Sequence, residues 1–162
     1  MKCVYLYYSQ RADKAIGAAD AGLAINPNFG TLWAVRGVAE MFFGRFEQAK
    51  ADIQQSMRLS PRDPLTALSH KYLGDAELGL GHFDAAIDEY HKSIDLGFAN
   101  TWPYASLTAA YALEGKMEEA RSALAEARRL EPKLTIKWLV ASHAPNLPPL
   151  FEGLRKAGLP EE

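Results

Sequence analysis

The sequence predicts an all-α solenoid of stacked helical hairpins, closed at its carboxy-terminal end by capping helices. Three independent spacings predict it. The alanines that begin successive second helices, Ala15, Ala49, Ala86 and Ala120, are 34, 37 and 34 residues apart. The turn glycines Gly44, Gly81 and Gly115 repeat the 37 and the 34, and the closing prolines Pro27 and Pro61 are again 34 apart. A period of this length marks a chain in which each unit is one helix pair that buries its inner face against its neighbours. The extra three residues of the middle interval fall in Ser60-Pro61-Arg62-Asp63-Pro64. The expected organisation is an array over residues 1–132, made of a partial unit 1–27 and full units 28–61, 65–98 and 99–132, followed by capping helices over 133–162.

The partial unit comes first. Ala12 to Ile25 reads as its second helix, with Ala15, Ala19, Gly22 and Ile25 on one face and Pro27 closing it. Only Met1 to Tyr8 precede the turn expected at Ser9-Gln10-Arg11, so the first helix is cut short and leaves Val4, Tyr5, Leu6, Tyr7 and Tyr8 without a polar cap. Either a preceding segment of a longer parent or a second copy of the chain, forming a homodimer, covers that edge. The alternative is that tyrosines with polar tips tolerate exposure there.

In the unit over 29–59, a first helix carries Trp33, Gly37 and Glu40. Gly44 makes the turn, and Phe46, Ala49, Ile53, Ser56 and Leu59 form the buried stripe of the second helix. A mid-helix glycine costs about 1 kcal/mol against alanine, so Gly37 points to a close approach of two helices. Over 65–96, Gly74 and Gly81 take the places of Gly37 and Gly44. Asp63-Pro64 signals a helix start, and Gly97 stands in for the missing proline. Over 101–130, Asn100 or Thr101 caps the first helix, Thr108 occupies the glycine position, and Ala120, Leu124, Ala127 and Leu130 form the stripe. Beyond Pro132 the period breaks. Leu134–Leu139 reads as a short helix ended by Pro145, and Leu147–Ala157 as a final one stopped by Gly158-Leu159-Pro160.

Composition narrows the function classes. With 48% apolar residues in 162, the chain can bury a continuous core. A net charge of −2, from 18 basic and 20 acidic residues, gives no electrostatic reason to expect nucleic acid or an anionic membrane as partner. No apolar run approaches the ~20 residues of a membrane helix, and MKCVYLYYSQ lacks the apolar core and cleavage site of a signal peptide. The lone Cys3 forms no internal disulfide, which suits a reducing cytoplasm.

Trp33, Gly37, Gly44, Ala49, Ile53, Leu59 and Pro61 resemble the consensus of a tetratricopeptide repeat, TPR. The resemblance covers about residues 10–132 and implies an α-α superhelix that binds proteins. A narrower resemblance rests on INPN (25–28), RLSPRDP (58–64), PKLTI (132–136) and FEGLRKAGLPEE (151–162). These look like the carboxy-terminal TPR region of α-proteobacterial class III adenylate/guanylate cyclases and of related winged-helix TPR regulators. That likeness implies a regulatory or dimerisation segment, since no metal-binding or nucleotide-binding segment of a cyclase is present in the sequence.

The candidate site follows from the register. First helices line the concave surface of such an array, here with Thr31, Val35, Val38, Met41 and Phe42, then Leu68, Lys71, Tyr72, Asp75 and Leu78, then Trp102, Ser106, Ala109 and Leu113. This apolar groove suits a peptide or an amphipathic helix, with Tyr72 and Trp102 as anchors. Chaperone-binding TPRs hold a terminal carboxylate in a basic clamp. Only Lys71 is available for that, and Asp75 one turn later neutralises it. The alternative is that the groove residues pack against the chain's own terminal helix or simply thicken the core. His70, His82, His91 and His143 have no metal-ligand spacing, no serine stands in a nucleophile elbow, and Gly79 and Gly81 lack the lysine of a phosphate loop. The expectation is a non-catalytic protein-interaction scaffold with no cofactor and no metal.

Overall fold

A computed structural model describes the backbone of residues 2–142 and 147–162 and the side chains of 11–142 and 147–162. The described chain is helical, with α1 (Lys2–Ile25), α2 (Gly30–Met41), α3 (Phe46–Leu59), α4 (Thr66–Gly79), α5 (Phe83–Asp95), α6 (Thr101–Glu114), α7 (Met117–Leu130), α8 (Ile136–Ala141) and α9 (Pro148–Lys156). Helices α2 and α3, α4 and α5, and α6 and α7 pair as hairpins. Contacts α1–α2, α3–α4 and α5–α6 stack one hairpin on the next. The fold is an all-α helical-repeat solenoid.

The hairpins close where the sequence punctuates them. Gly44, Gly81 and Gly115 have φ of 71°, 78° and 89°, the left-handed conformation that glycine adopts without a Cβ penalty. The mid-helix glycines serve close packing. A Cβ on Gly37 would lie 2.9 Å from the Ala49 carbonyl oxygen, and one on Gly74 would lie 2.6 Å from the Tyr90 ring. Asn100 caps α6 by accepting the Trp102 N–H at 3.0 Å. Asp63 accepts the Leu65 N–H at 2.7 Å and shapes the turn ahead of α4, which starts at Thr66 rather than directly after Asp63-Pro64.

Charged pairs tie adjacent hairpins. The Arg36 guanidinium reaches Asp52 at 2.7 Å and Asp20 at 2.8 Å, joining α1, α2 and α3. The hydrogen bonds it donates to Asp52, opposed by burial and helped by Asp20, raise its pKa above the usual range. Lys50 on α3 meets Glu77 on α4 at 2.7 Å, and His82 meets the same carboxylate at 2.9 Å.

At the amino terminus the structure departs from the expectation. Helix α1 runs unbroken through Ser9, Gln10 and Arg11, where a turn is predicted. None of the three is a glycine or proline, and glutamine and arginine are good helix formers, so nothing stops the helix there. The side chains of Val4 to Tyr8, on which the homodimer edge rests, lie outside the described residues, as do His143 and Pro145.

Candidate partner-binding groove

Helices α2, α4 and α6 form one wall of the solenoid, and the hairpin partners α3, α5 and α7 form the other. Helix α9 packs against α6 and also touches α4. It therefore lies on the wall of first helices, the concave side by register. A Cβ on Gly153 would sit 2.6 Å from Ala109 Cα and 2.8 Å from its carbonyl carbon, so the two helix backbones are in direct contact. Leu150 and Leu154 flank that contact and are buried. Gly158, at φ 92°, ends the helix, and the Leu159 N–H returns to the Leu154 carbonyl at 3.0 Å. The Ile136 N–H then donates to the Pro160 carbonyl at 2.9 Å and ties the tail to the start of α8. Each residue of GLRKAGLP that is buried or left-handed thus has a packing task.

Between α4, α5 and α6 lies a polar cluster. Lys71 Nζ donates to Asp75 at 2.5 Å, and the Tyr90 hydroxyl donates to the same carboxylate at 3.0 Å. Ser106 approaches it at 3.4 Å. The Lys71 ammonium also stands 5.1 Å from the Tyr72 ring centroid and 5.5 Å from that of Trp102, within cation–π range. Trp102 in turn contacts Trp138 of α8, with centroids 6.0 Å apart. Burial, with Asp75 nearby, pushes the Tyr90 phenol pKa well above its ordinary value and keeps it a donor. Lys71 is 5% exposed and Asp75 0% exposed, so the one groove lysine is neutralised and covered. It is not open to hold a ligand's carboxylate.

The predicted groove therefore divides. Lys71, Asp75 and Ser106 are buried, and Trp102 is half-buried in the packing around α8. Met41 and Leu78 are fully buried inside the solenoid and do not face a groove. Register explains this correction. The positions equivalent to Leu113 are Gly79 and Phe42, and a shift of one residue turns a side chain ~100° around the helix, from the concave face into the core. Val35, Val38, Phe42, Leu68 and Tyr72 remain together and line an open recess of about 420 Å³. Arg11, Ala12 and Ala15 of α1 form its far wall, with Thr31, Asp63 and Leu65 at other points of the lining. That α1 wall was not expected, because Ala12 and Ala15 were placed on a second helix and only first helices were taken to line the groove. The alanine spacing at 12, 15 and 19 was the available signal.

The described histidines do not converge. His70 meets Glu89 at 2.6 Å, His82 meets Glu77, and His91 meets the Tyr111 hydroxyl at 2.8 Å. Among the described residues no three of His, Cys, Asp and Glu are placed to hold a metal ion, and no helix is long and apolar enough to cross a membrane.

A solenoid of helical hairpins with a concave recess defines a TPR-type fold, and solved structures share it. A crystal structure of MamA superposes with a TM-score of 0.68 at 22% identity, covering 90% of this chain and 86% of that one. The first TPR of Spaghetti (RPAP3), bound to an HSP90 peptide SRMEEVD, gives a TM-score of 0.61 at 19% identity, covering 80% and 90%. A MamA RS-1 ArsTM double mutant gives 0.68 at 17%, covering 94% and 90%. At these identities the likeness establishes the fold. No protein-family pattern matches the chain, and no curated protein does.

Proposed function

We propose that the chain is a non-catalytic protein-interaction scaffold that binds a peptide or an amphipathic helix on its concave face. The observation that carries this is the recess between α1, α2 and α4. Its lining is largely apolar and open, with Val35 41% exposed, while farther along the same wall α9 packs on α6 and touches α4. Exposed apolar surface gathered in a concavity is what a partner's side chains can bury. Val35, Val38, Phe42, Leu68 and Tyr72 form the proposed contact set. Lys71, Asp75, Leu78, Met41, Trp102 and Ser106 support it from below or from the side.

The RPAP3 neighbour carries a peptide with three acidic residues, SRMEEVD. This chain is poorly suited to that ligand, because Lys71 is already paired. The test is site-specific photo-crosslinking in the native cell. A crosslinker at Val38 should give a discrete adduct, and one at Arg121, on the outer face of α7, should not. Equal labelling from both positions, or none from Val38, defeats the reading.

A further inference from the structure

We infer that the chain pairs with a second copy of itself, α1 against α1 in antiparallel, along the face of α1 that its own chain leaves uncovered. Of the residues on that face, Arg11 and Ala15 also border the recess. The contact set Val35, Val38, Phe42, Leu68 and Tyr72 takes no part in the pairing.

The repeat shows which face is open. In a full unit the first helix lies on a stripe of the second: a Cβ on Gly37 of α2 would lie 2.9 Å from the Ala49 carbonyl oxygen and 3.1 Å from Asp52 Cβ on α3. One 34-residue period earlier, Ala49, Asp52 and Ser56 correspond to Ala15, Ala18 and Gly22 of α1. Ala49, Asp52 and Ser56 are buried, as are their counterparts Ala120, Ala123 and Ala127 on α7. On α1, Ala18 is exposed, and Ala15 and Gly22 are half-buried. Ile25, next along the same face, is 88% exposed. Residues 2–10 do not cover this stripe, because they continue α1 instead of folding back on it.

Length makes the gap larger. Helix α1 has 24 residues, against 12 in α2, which packs along it. At 1.5 Å per residue that is ~36 Å against ~18 Å, so α2 spans about half of α1.

The sequence of α1 selects the partner. Val4, Tyr8, Arg11, Ala15, Ala18 and Gly22 are spaced 4, 3, 4, 3 and 4, and Ile25 follows after 3. This is the heptad spacing of a helix-pair seam, sustained along the helix. Bulk is divided unevenly along it, with Val4 and Tyr8 in the amino-terminal half and Ala15, Ala18 and Gly22 in the other. A parallel pair would set tyrosine on tyrosine and leave glycine opposite glycine. An antiparallel pair of full overlap sets Tyr8 of one copy opposite Ala18 of the other, Val4 opposite Gly22, and Arg11 opposite Ala15. Each larger side chain then meets a smaller one, and the two-fold axis repeats every such contact. A seam ~36 Å long and ~10 Å wide is smaller than the ~800 Å² per partner of a standard interface, so the dimer should be reversible and concentration-dependent.

Sedimentation velocity of the full chain, from low to high micromolar concentration, reads the pairing. The expected result is a monomer–dimer equilibrium. Ala18→Glu, at an exposed position in the seam, should weaken it roughly tenfold or more, because each dimer would bury two carboxylates without partners. Ala24→Glu, exposed on the opposite side of the same helix, should leave it unchanged. Circular dichroism checks that both variants fold, and Ile25→Glu gives the same readout should Ala18→Glu not fold. Direction is read by oxidising a mixture of Tyr8→Cys and Ala18→Cys chains, each also carrying Cys3→Ser; the crossed 8–18 disulfide should prevail. The inference is overturned if the chain stays monomeric throughout, if Ala18→Glu and Ile25→Glu associate as the wild type does, if Ala24→Glu weakens association as much, or if the 8–8 disulfide prevails. A Val38 crosslink to a different protein in a chain that stays monomeric removes the self-pairing and leaves the recess reading standing. A dimer with no Val38 adduct does the reverse.

Discussion

Replacing Gly153 with alanine tests the placement of α9 directly. In a helix the change is ordinarily favourable, by up to about 1 kcal/mol. Here the added methyl would stand 2.6 Å and 2.8 Å from backbone atoms of Ala109, where ordinary contact begins at 3.4 Å. Backbone cannot rotate aside, so α9 must withdraw by roughly 0.8 Å, a gap that forfeits a quarter to a half of each dispersion contact it stretches. Leu150 and Leu154, both buried against the same core, lose contact with it. Overpacking of this kind costs about 1–3 kcal/mol, which outweighs the propensity gain and leaves a net loss near 1–2 kcal/mol. Gly17 provides the internal control. It is exposed in α1, and a Cβ there meets nothing within 4 Å. Gly17→Ala should therefore stabilise by about 0.5–1 kcal/mol. At roughly 2–4 °C per kcal/mol for a chain of this size, thermal melts followed by circular dichroism should move in opposite directions. A Gly153→Ala protein that melts at or above the wild type would refute the close approach of α9 to α6.

Lys71→Met should destabilise by about 3–5 kcal/mol in urea unfolding, since it leaves Asp75 buried and charged without its cation. Adding Asp75→Asn should recover most of that loss; a single substitution with no measurable cost would show that the pair is solvated. Burial works to raise the Glu77 pKa, but hydrogen bonds from Lys50 and His82 outweigh it and hold the carboxyl below its ordinary 4.5. A depressed folded-state pKa gives stability that is present above the unfolded value and lost as the pH falls through the folded one. The urea midpoint of the wild type should thus exceed that of Glu77→Gln at pH 7, and the gap should shrink as the pH drops below 4.5; a gap independent of pH refutes the linkage. Trp102→Ala should lower the melting temperature by several degrees, in keeping with the 0.5–3 kcal/mol typical of a lost packing contact, because Trp102 rests on Trp138. Tyr72→Ala should cost less stability and more of the Val38 crosslink; the reverse order would put the recess in the wrong place.

The repeating part of the fold was legible because its signals are local. Glycine at 44, 81 and 115, small residues at 37 and 74, and alanines at 49, 86 and 120 each report a backbone conformation or a close contact within one hairpin. The tail was legible only as helices. Nothing in residues 147–159 distinguishes a helix stacked on the end of the array from one laid along its concave face, since both require the same leucine stripe. That choice depends on Ala109 being small enough to accept Gly153, a pairing 44 residues apart that no periodicity encodes. The same limit affected the groove. Lys71 and Asp75 were identified as a neutralising pair from their spacing, but their burial beside Tyr90 and Ser106 was invisible. The one-residue slip that admitted Met41 and Leu78 came from extending a face to adjacent positions on helices whose buried arc is wide.

The tail's double attachment also changes how the molecule comes apart. In a simple solenoid each unit touches only the next, so unfolding can begin at either end and proceed one hairpin at a time. By bridging α4 and α6, helix α9 cross-ties two hairpins, and residues from α4 onward should open as one cooperative block. Helices α1 to α3 have no such tie, so fraying is directed to them. The recess lies at that boundary, one wall in the segment that opens first and one in the block that opens last. A ligand seated there would close the amino-terminal hairpin onto the rest and should slow amide exchange in α1 to α3 more than in α6 or α7.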